Sequence, residues 1–575
     1  MPKHNAEVAA VFSKIADLLE IENANPFRVR AYRNAARLIQ GLSRDLGEMV
    51  ERGEDLRDLP GIGEDLSKKI VEILETGHCR FLEQLEKQEP PALTELLQVP
   101  GLGPKRVKAL WQALQVESLE DLAAAARAGR IRMLPGFGEK TELRILELLT
   151  AHLSRIPRVS IAQAAPVAED LLRLLRSVPG VQEAVVAGSF RRGQETVGDL
   201  DLVVTARLDS PVMERFVHHE DVAEIFAQGP TRATVVLRSH LQVDLRVVAA
   251  ESFGAALHYF TGSKSHNIAI RRRAQGLGLK VNEYGIFRGK ERVAGETETA
   301  VYAAVGLPYI EPELRENRGE IEAAALGKLP HLVQEGDLRG DLHCHSAASD
   351  GHDRLEDLAA AAQARGWEYL AITDHSRALR VANGLDPLRL RRQMDEIDLL
   401  NGKLRGFTLL KGCEVDILED GSLDLPDALL RDLDIVIGAV HSHFDLPRAR
   451  QTARVLKAMD HPAFTLLAHP GGRLIGSRPA MDLDLPRIIR HARERGVFLE
   501  VNAQPQRLDL PDIQAQAAKE EGVLLAVNSD AHSRFDFDHL RWGVLQARRG
   551  WLEKKDVLNT RSLPELRTLL AQTRR

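Results

Sequence analysis

Between residues 338 and 532, seven short apolar runs alternate with helical patterns, and each run ends in a polar residue. LRGDLHCH ends in His343 and His345, with Asp350 just beyond, and YLAITDH ends in Asp374 and His375. FTLLKGCEVD carries Glu414, and DIVIGAVHSH ends in His441 and His443. FTLLAHP ends in His469, VFLEVN in Asn502, and VLLAVNSDAH in Asp530 and His532. Strands alternating with helices predict parallel βα units. In a parallel barrel the C-terminal strand ends converge on one rim, so these residues would meet in a single site. Imidazoles and carboxylates without thiolates suit Zn2+, Mn2+ or Fe2+. They outnumber what one ion can use, which predicts a cluster of two or three metals.

The first 150 residues follow a different rule. LPGIGEDLSKKI (59–70), VPGLGPKRVKAL (99–110) and LPGFGEKTELRI (134–145) form an internal repeat of an apolar-Pro-Gly-apolar-Gly turn entering a helix. Glycines at 61 and 63, 101 and 103, and 136 and 138 allow a tight turn that brings backbone N–H groups to a helix N-terminus, where phosphate is favoured. A Pro-Gly turn can also be a mere connector, but three copies favour a shared ligand. The flanking Leu- and Ala-rich helical patterns predict two small helical domains, 1–88 and 89–150, divided at Glu89-Pro90-Pro91.

Between these regions, EAVVAGSFRRGQETVGDLDLVVT (183–205) reads strand, Gly-Ser turn, short helix, turn, strand. Asp199 and Asp201 are two residues apart on the second strand and project from one face. Asp244 lies inside a further apolar strand, among Val243, Leu245 and Val247. Three such carboxylates repel one another unless cations neutralise them, and Mg2+ uses a few carboxylates together with substrate phosphates. A D-x-D pair alone is often only a solvent-facing edge. Here Gly188-Ser189, followed by Arg191 and Arg192, adds backbone donors, a hydroxyl and guanidinium forks for a polyphosphate. Two-metal phosphoryl transfer fits this set.

With 575 residues, several domains are expected. No apolar run approaches the length of a membrane helix, and the N-terminus lacks the pattern of a secretory signal, so a cytoplasmic protein without a membrane partner is expected. Cys79, Cys344 and Cys413 are far apart and form no disulfide framework or thiolate zinc site. The net charge of −6 hides basic clusters such as RVRAYRNAAR near the start and IRRRAQ at 270–275, so it does not exclude DNA.

The motifs carry family resemblances. The glycine repeats resemble the helix-hairpin-helix, which holds DNA backbones without reading sequence. GSFRRGQETVGDLDL looks like the palm motif of nucleotidyltransferases related to DNA polymerase beta. ALHYFTGSKSHNIAIRRRA (256–274), VNEYGIF (281–287) and VYAAVGLPYIEPELRE (301–316) resemble the thumb of that family. HCHSAASDG, TDHS and SDAHS resemble the signature segments of the PHP domain. The chain is thus identified as similar to family X DNA polymerases fused to a PHP domain.

The resemblance implies helical domains, an α+β palm at 151–250, a thumb at 251–316, a linker at 317–336, and a distorted (β/α)7 barrel at 337–575. Asp199, Asp201 and Asp244 would bind two Mg2+ or Mn2+ ions. Gly188, Ser189, Arg192 and Gly198 would hold the triphosphate of a dNTP. Tyr259, Phe260 and Gly262 would face the deoxyribose, and Asn267 and Arg271 the nascent base pair.

In the barrel the implied ligands are His343, His345, Asp350, His375, Glu414, His441, His469, Asp530 and His532. Asp374 and His443 are expected behind the ligands or facing solvent. The implied activities are gap filling in base excision repair on gapped or nicked duplex DNA, with 3′→5′ exonuclease, AP-endonuclease and 3′-end-cleaning activity; the sequence carries no strong dimerisation signal, so a monomer is expected. A DNA-targeted phosphoesterase with a weak or inactive polymerase is the alternative.

Two positions depart from the family pattern. Lys264, a candidate nucleotide-binding residue, stands where the vertebrate enzyme has an acidic residue, and a cation beside the pocket would strengthen nucleotide binding before metal arrives. Lys69 aligns with the Schiff-base lysine of 5′-deoxyribose-phosphate lyases, but its neighbours include Asp65 and Phe81 where lyases carry lysines. Lys69 is therefore open to a lyase or a plain DNA-backbone role.

Overall fold

The computed structural model describes residues 3–574 apart from 23, 43, 89–95, 97–101, 103, 115, 117–118, 135, 139–140, 143–144, 146–157 and 208. The chain divides into two compact units, Met1–Pro157 and Arg158–Arg575.

The first unit is helical. Helix α1 (Lys3–Ile21) packs on α2 (Pro26–Gly41). Asn25 caps α2 by accepting from the Phe27 amide, and Pro26 occupies the first turn, where its missing N–H is harmless. Val8, Phe12, Ile15 and Leu19 meet Tyr32, Ile39, Leu56 and Ile70 in one core. A second core gathers Leu102, Val107, Leu110, Leu122, Ile131 and Phe137. Helices α3 (Glu64–Thr76) and α4 (Pro104–Leu114) follow the first two glycine turns. In each repeat the apolar residue between the glycines, Ile62, Leu102 or Phe137, is buried. Gly61, Gly63, Gly136 and Gly138 are exposed around it, while Gly101 and Gly103 lie outside the described residues.

The second unit begins with a five-stranded sheet of β1 (Val181–Val186), β2 (Asp199–Ala206), β3 (Val222–Gln228), β4 (Arg232–Leu237) and β5 (Gln242–Val248), in spatial order β1-β2-β5-β4-β3. Strands β2 and β5 run parallel, whereas the other pairs are antiparallel. Alternation divides the faces of β2. Leu200, Leu202 and Val204 bury against α5 (Ile161–Ser177), while Val203 packs with Ala256 and Leu257 of α6 (Phe253–Thr261) on the other side. Helix α7 (Lys264–Gly276) and three short antiparallel strands at 280–294 complete the next layer, around Ile270, Tyr302 and Leu314. Arg315 is fully buried there, bonded to Glu298 at 2.5 Å and lying over the rings of Tyr302 and Tyr309.

Residues 317–336 include a short helix, Glu320–Ala325, whose Glu320, Ile321 and Ala324 are buried. A seven-stranded parallel sheet follows: β6 (Gly340–Asp341), β7 (Tyr369–Ile372), β8 (Thr408–Asp416), β9 (Ile435–Ala439), β10 (Leu466–Leu467), β11 (Phe498–Asn502) and β12 (Leu525–Asn528), paired in sequence order. A parallel bridge between Cys344 and Ala531 joins the first strand's end to the last, so the sheet closes into the expected barrel. All seven predicted runs are strands, although the first and fifth have only two residues each. Helix α8 (Leu540–Arg549) packs on the last strands. Among the described residues no helix is long and apolar enough to cross a membrane.

Candidate active sites

In the palm, parallel pairing sets Asp201 directly beside Asp244, and Asp199 beside Gln242. The Asp244 carboxylate is held by Thr234 Oγ1 at 2.6 Å and by Gln242 Nε2 at 2.8 Å. Gly188 opens the short helix Gly188–Arg191 at φ +63°, and a Cβ there would stand 2.2 Å from Asp201 Oδ2. Only glycine lets this turn lie against the carboxylate. Burial, and then the neighbouring Asp199 and Asp244, push Asp201 up to about 7. Asp199 is raised by burial and by Asp244.

Ser189 and Gly198 are half-buried, the one following Gly188 and the other preceding Asp199 in the chain. Arg192 donates from Nε to Glu316 at 2.9 Å and from Nη1 to the Thr261 carbonyl at 2.6 Å. Gly262 follows α6, and its Cβ position would be 3.2 Å from that same guanidinium. Tyr259 and Phe260 meet edge to face at 5.1 Å. Asn267 donates to the Tyr259 carbonyl at 2.7 Å, and Arg271 lies 5.3 Å over the Tyr259 ring. Lys264 is exposed on the first turn of α7. Sequence reasoning missed Arg246, which sits over Phe260 and opposes the charge on Asp201. It also missed Arg158, which bonds Thr196 and opposes the charge on Asp199.

In the first unit Lys69 is largely covered, pairs with Asp65, and lies 5.3 Å over the Phe81 ring. Its carboxylate and aromatic neighbours are those of a held cation. Asp65 and Phe81 stand where the lyases it resembles carry lysines.

The barrel ends converge as predicted. Ligand atoms of His345, Asp350, His375 and His532 lie within 4.8 Å of one another, as do those of His343, His345 and Asp530, and those of His375, Glu414 and His441. His345 and His375 are shared between groups, so the three form one continuous cluster. His469 Nε2 joins it at 2.8 Å from Glu414 Oε1. Asp374 is buried behind the cluster, accepting from the Ser346 amide and hydroxyl and from Gln393, so it holds the loop that carries His345. His443 faces solvent. Asn502 donates to Glu500 and to Asp530, each at 3.0 Å.

The donor set fits metal ions on its own evidence. His343 Nε2, His345 Nδ1, His375 Nδ1, His469 Nδ1 and Glu414 Oε2 are buried without a hydrogen-bond partner, a costly state for polar atoms. His375 Nδ1 is 2.9 Å from Glu414 Oε2 yet not aligned as a hydrogen bond, as expected of two ligands facing a common point. Other buried groups fix ring orientation. Glu500 takes His343 Nδ1 at 2.8 Å, and Asp416 takes His441 Nδ1 at 3.1 Å, which leaves each Nε2 directed inward. Burial disfavours the charged imidazole, but Glu414 and Asp350 override it and raise His375 to about 10. Burial and the neighbouring His375 hold His345 down to about 4, with His532 adding to the effect.

A cavity of about 270 Å³ opens onto the cluster, lined also by Leu379, Val381, Gln504 and Arg507. Glu500 was legible as an acid inside the apolar run VFLEVN, whereas nothing in QPQRLDL marks Arg507.

Comparison with known proteins finds relatives for successive segments of the chain. Family models match for a helix-hairpin-helix domain (3–79), a SAM-like helix-hairpin-helix tandem (93–149), the DNA polymerase beta palm (155–253), the DNA polymerase beta thumb (256–316) and the PHP domain (341–504). A DNA polymerase/3′-5′ exonuclease, PolX, of Bacillus subtilis (strain 168) is 38% identical over 571 residues, covering 99% of each chain. The chain belongs to the PolX family of DNA polymerases.

As a PolX enzyme it is a DNA polymerase with a 3′→5′ exonuclease, and it depends on divalent metal. Its two halves have separate relatives. DNA polymerase lambda of Rattus norvegicus is 28% identical over 299 residues, covering 46% of this chain and 49% of its own. A probable phosphatase of Thermoanaerobacter sp. (strain X514) is 30% identical over 232 residues, covering 38% of this chain and 89% of its own. The PHP-domain match ends before Asp530 and His532, but barrel closure brings both to the PolX cluster.

Proposed function

We propose that this polymerase fills short gaps during DNA repair, including base excision repair, and that its barrel trims 3′ ends before or between additions. The observation that carries the reading is the presence, within one compact unit, Arg158–Arg575, of a carboxylate group in the palm and a separate imidazole–carboxylate cluster in the barrel. Asp199, Asp201 and Asp244 would hold two Mg2+ or Mn2+ ions. Gly188, Ser189, Arg192 and Gly198 would bind the dNTP triphosphate, and Tyr259, Phe260 and Gly262 would exclude a ribose. Asn267 and Arg271 would sense the nascent pair.

In the barrel His343, His345, Asp350, His375, Glu414, His441, His469, Asp530 and His532 would hold two or three Mn2+, Zn2+ or Fe2+ ions. When bound, such ions neutralise the phosphate and activate the attacking oxygen. The chain's own residues aim the Nε2 atoms of His343 and His441 inward, through Glu500 and Asp416, and leave a cavity over the cluster for a strand end. AP-endonuclease action and removal of 3′-blocking groups need the same phosphoester chemistry and belong to this proposal.

The glycine turns at 61–63, 101–103 and 136–138, with Lys69, would grip the backbone of gapped or nicked duplex. The geometry at Lys69 favours such a contact over lyase chemistry. We further propose a cytoplasmic monomer working at the nucleoid.

The test is a primer-template with a one-nucleotide gap, in Mn2+ with and without dNTPs. The intact chain should extend and, without nucleotides, shorten the primer. An abasic-site duplex should be cut by the intact chain and spared by His343→Ala/His345→Ala. A chain that shortens but never extends would make the DNA-targeted phosphoesterase the better account.

A further inference from the structure

The palm turn 188–195 is built against the barrel. Arg549, at the end of α8, donates from Nη1 to the Arg192 carbonyl at 2.7 Å and to Glu316 Oε1 at 3.1 Å, and from Nη2 to Asp512 at 2.7 Å. Glu316 Oε1 also receives Arg192 Nε at 2.9 Å and Gln194 Nε2 at 2.7 Å. One carboxylate oxygen therefore ties the palm turn to the barrel arginine. One turn earlier on α8, Leu545 packs so closely that a Cβ on Gly193 would stand 2.7 Å from its Cδ2.

A second barrel arginine holds the far end of the turn. Arg473 makes a fork to Glu195, with contacts of 3.3 and 2.6 Å, and is itself fixed by the carbonyls of Arg507 and Leu508. The network is sheltered, with Arg549 5% and Arg192 13% exposed. Charge-assisted, forked bonds are strongest and most directional in such surroundings.

We propose that Arg549 and Arg473 of the barrel are positioning residues for polymerisation, holding the palm turn and the Arg192 guanidinium in the geometry that receives the nucleotide triphosphate. The inference rests on the reading that this turn binds the dNTP. A connecting turn left to itself samples many conformations, and ordering it would draw on nucleotide binding energy. The barrel does that ordering in advance. The cost of losing it falls on nucleotide affinity rather than on barrel chemistry.

The experiment uses the full chain and a one-nucleotide gap, titrating dNTP for Arg549→Ala, Arg549→Lys, Glu195→Gln and Arg192→Ala, with primer shortening measured on the same preparations. Glu195→Gln removes the Arg473 contact from the palm side and leaves the barrel sequence intact. Arg549→Ala and Glu195→Gln should each raise KM for dNTP about fivefold while kcat changes less than about twofold and shortening is unchanged. Arg549→Lys should recover part of the loss, because an ammonium reaches some of the acceptors without the fork.

Unchanged KM in both Arg549→Ala and Glu195→Gln overturns the proposal. So does a parallel fall of extension and shortening in Arg549→Ala with Glu195→Gln silent, which would mark Arg549 as a folding residue only. If Arg192→Ala itself leaves KM unchanged, the nucleotide reading of the turn fails. If Arg192→Ala raises KM and the barrel variants do not, only this inference fails.

Discussion

The palm and the barrel solve the same electrostatic problem in opposite ways. The palm gathers three carboxylates with no imidazole among them, and their mutual repulsion joins burial in raising Asp199 and Asp201. The barrel interleaves carboxylates with imidazoles, so Glu414 and Asp530 are held well below the usual range while His343 and His375 rise. Burial opposes ionisation of every one of these groups, and in the barrel opposite charge outweighs it for these four. A site of one sign is completed by cations that arrive with a triphosphate. A site of mixed sign is already close to balance and suits resident ions. The difference teaches that the two activities should separate by mutation, by metal and by pH.

The hardest test of that separation is a crossed pair of variants. Asp201→Ala should reduce primer extension by a hundredfold to a thousandfold, on the order expected when a main electrostatic element of a transition state is lost, and leave shortening intact. Glu414→Ala should do the reverse. If either variant abolishes both activities, the two sites are not independent.

A palm-side carboxylate whose cations come from the chain itself sharpens the contrast. Burial tends to raise Glu298, but hydrogen bonds from Arg191 and the charge of Arg315 hold it at about 2, against an ordinary 4.5. The folded pKa is depressed, so its ionisation favours the folded state above pH 4.5, and that contribution is lost as pH falls towards 2. The shift corresponds to at most about 3 kcal/mol. Urea unfolding midpoints of the intact chain and Glu298→Gln should differ most at neutral pH and converge near pH 2. A constant difference across that range would mean the pair does not behave as drawn.

Next in size is the support of the barrel ligands. Glu500 fixes His343 from behind, so Glu500→Gln should weaken metal retention by about ten- to a hundredfold, read as metal per chain after dialysis against graded chelator. Extension in fresh Mg2+ should not change. Retention unaffected by Glu500→Gln would remove the argument that ring orientation is set by buried acids.

Much of this was legible in the residues because periodicity and chemistry coincided. The seven apolar runs with polar ends gave the barrel and its rim, since strand ends in a parallel barrel have no other place to go. The two-residue spacing of Asp199 and Asp201 gave their shared face, but not that β2 and β5 run parallel with Asp201 and Asp244 side by side, which depends on topology. Glu500 and Asp416 act through rings brought to them by the fold, and Glu316, read as the end of the thumb, bonds Arg549, 233 residues away. Such pairings leave no local pattern, because they are fixed by packing between elements remote in the chain.

The smallest expected effect probes the single-sign character of the palm most directly. With EDTA present, Asp199, Asp201 and Asp244 face an incoming triphosphate without divalent help, so any protein cation near the pocket gains influence. Lys264 is exposed at the start of α7, just beyond Gly262, where the vertebrate enzyme it resembles carries an acid. An exposed cation contributes at most about 1 kcal/mol, or roughly fivefold in affinity, and salt screens it. Lys264→Ala should therefore weaken metal-free dNTP binding by about that factor at low ionic strength, measured by fluorescence titration, and much less at about 0.5 M salt. Equal affinity of the two proteins at low salt would mean that Lys264 does not offset the acidic triad, whose charge is opposed before metal arrives by the guanidiniums of Arg158, Arg192 and Arg246.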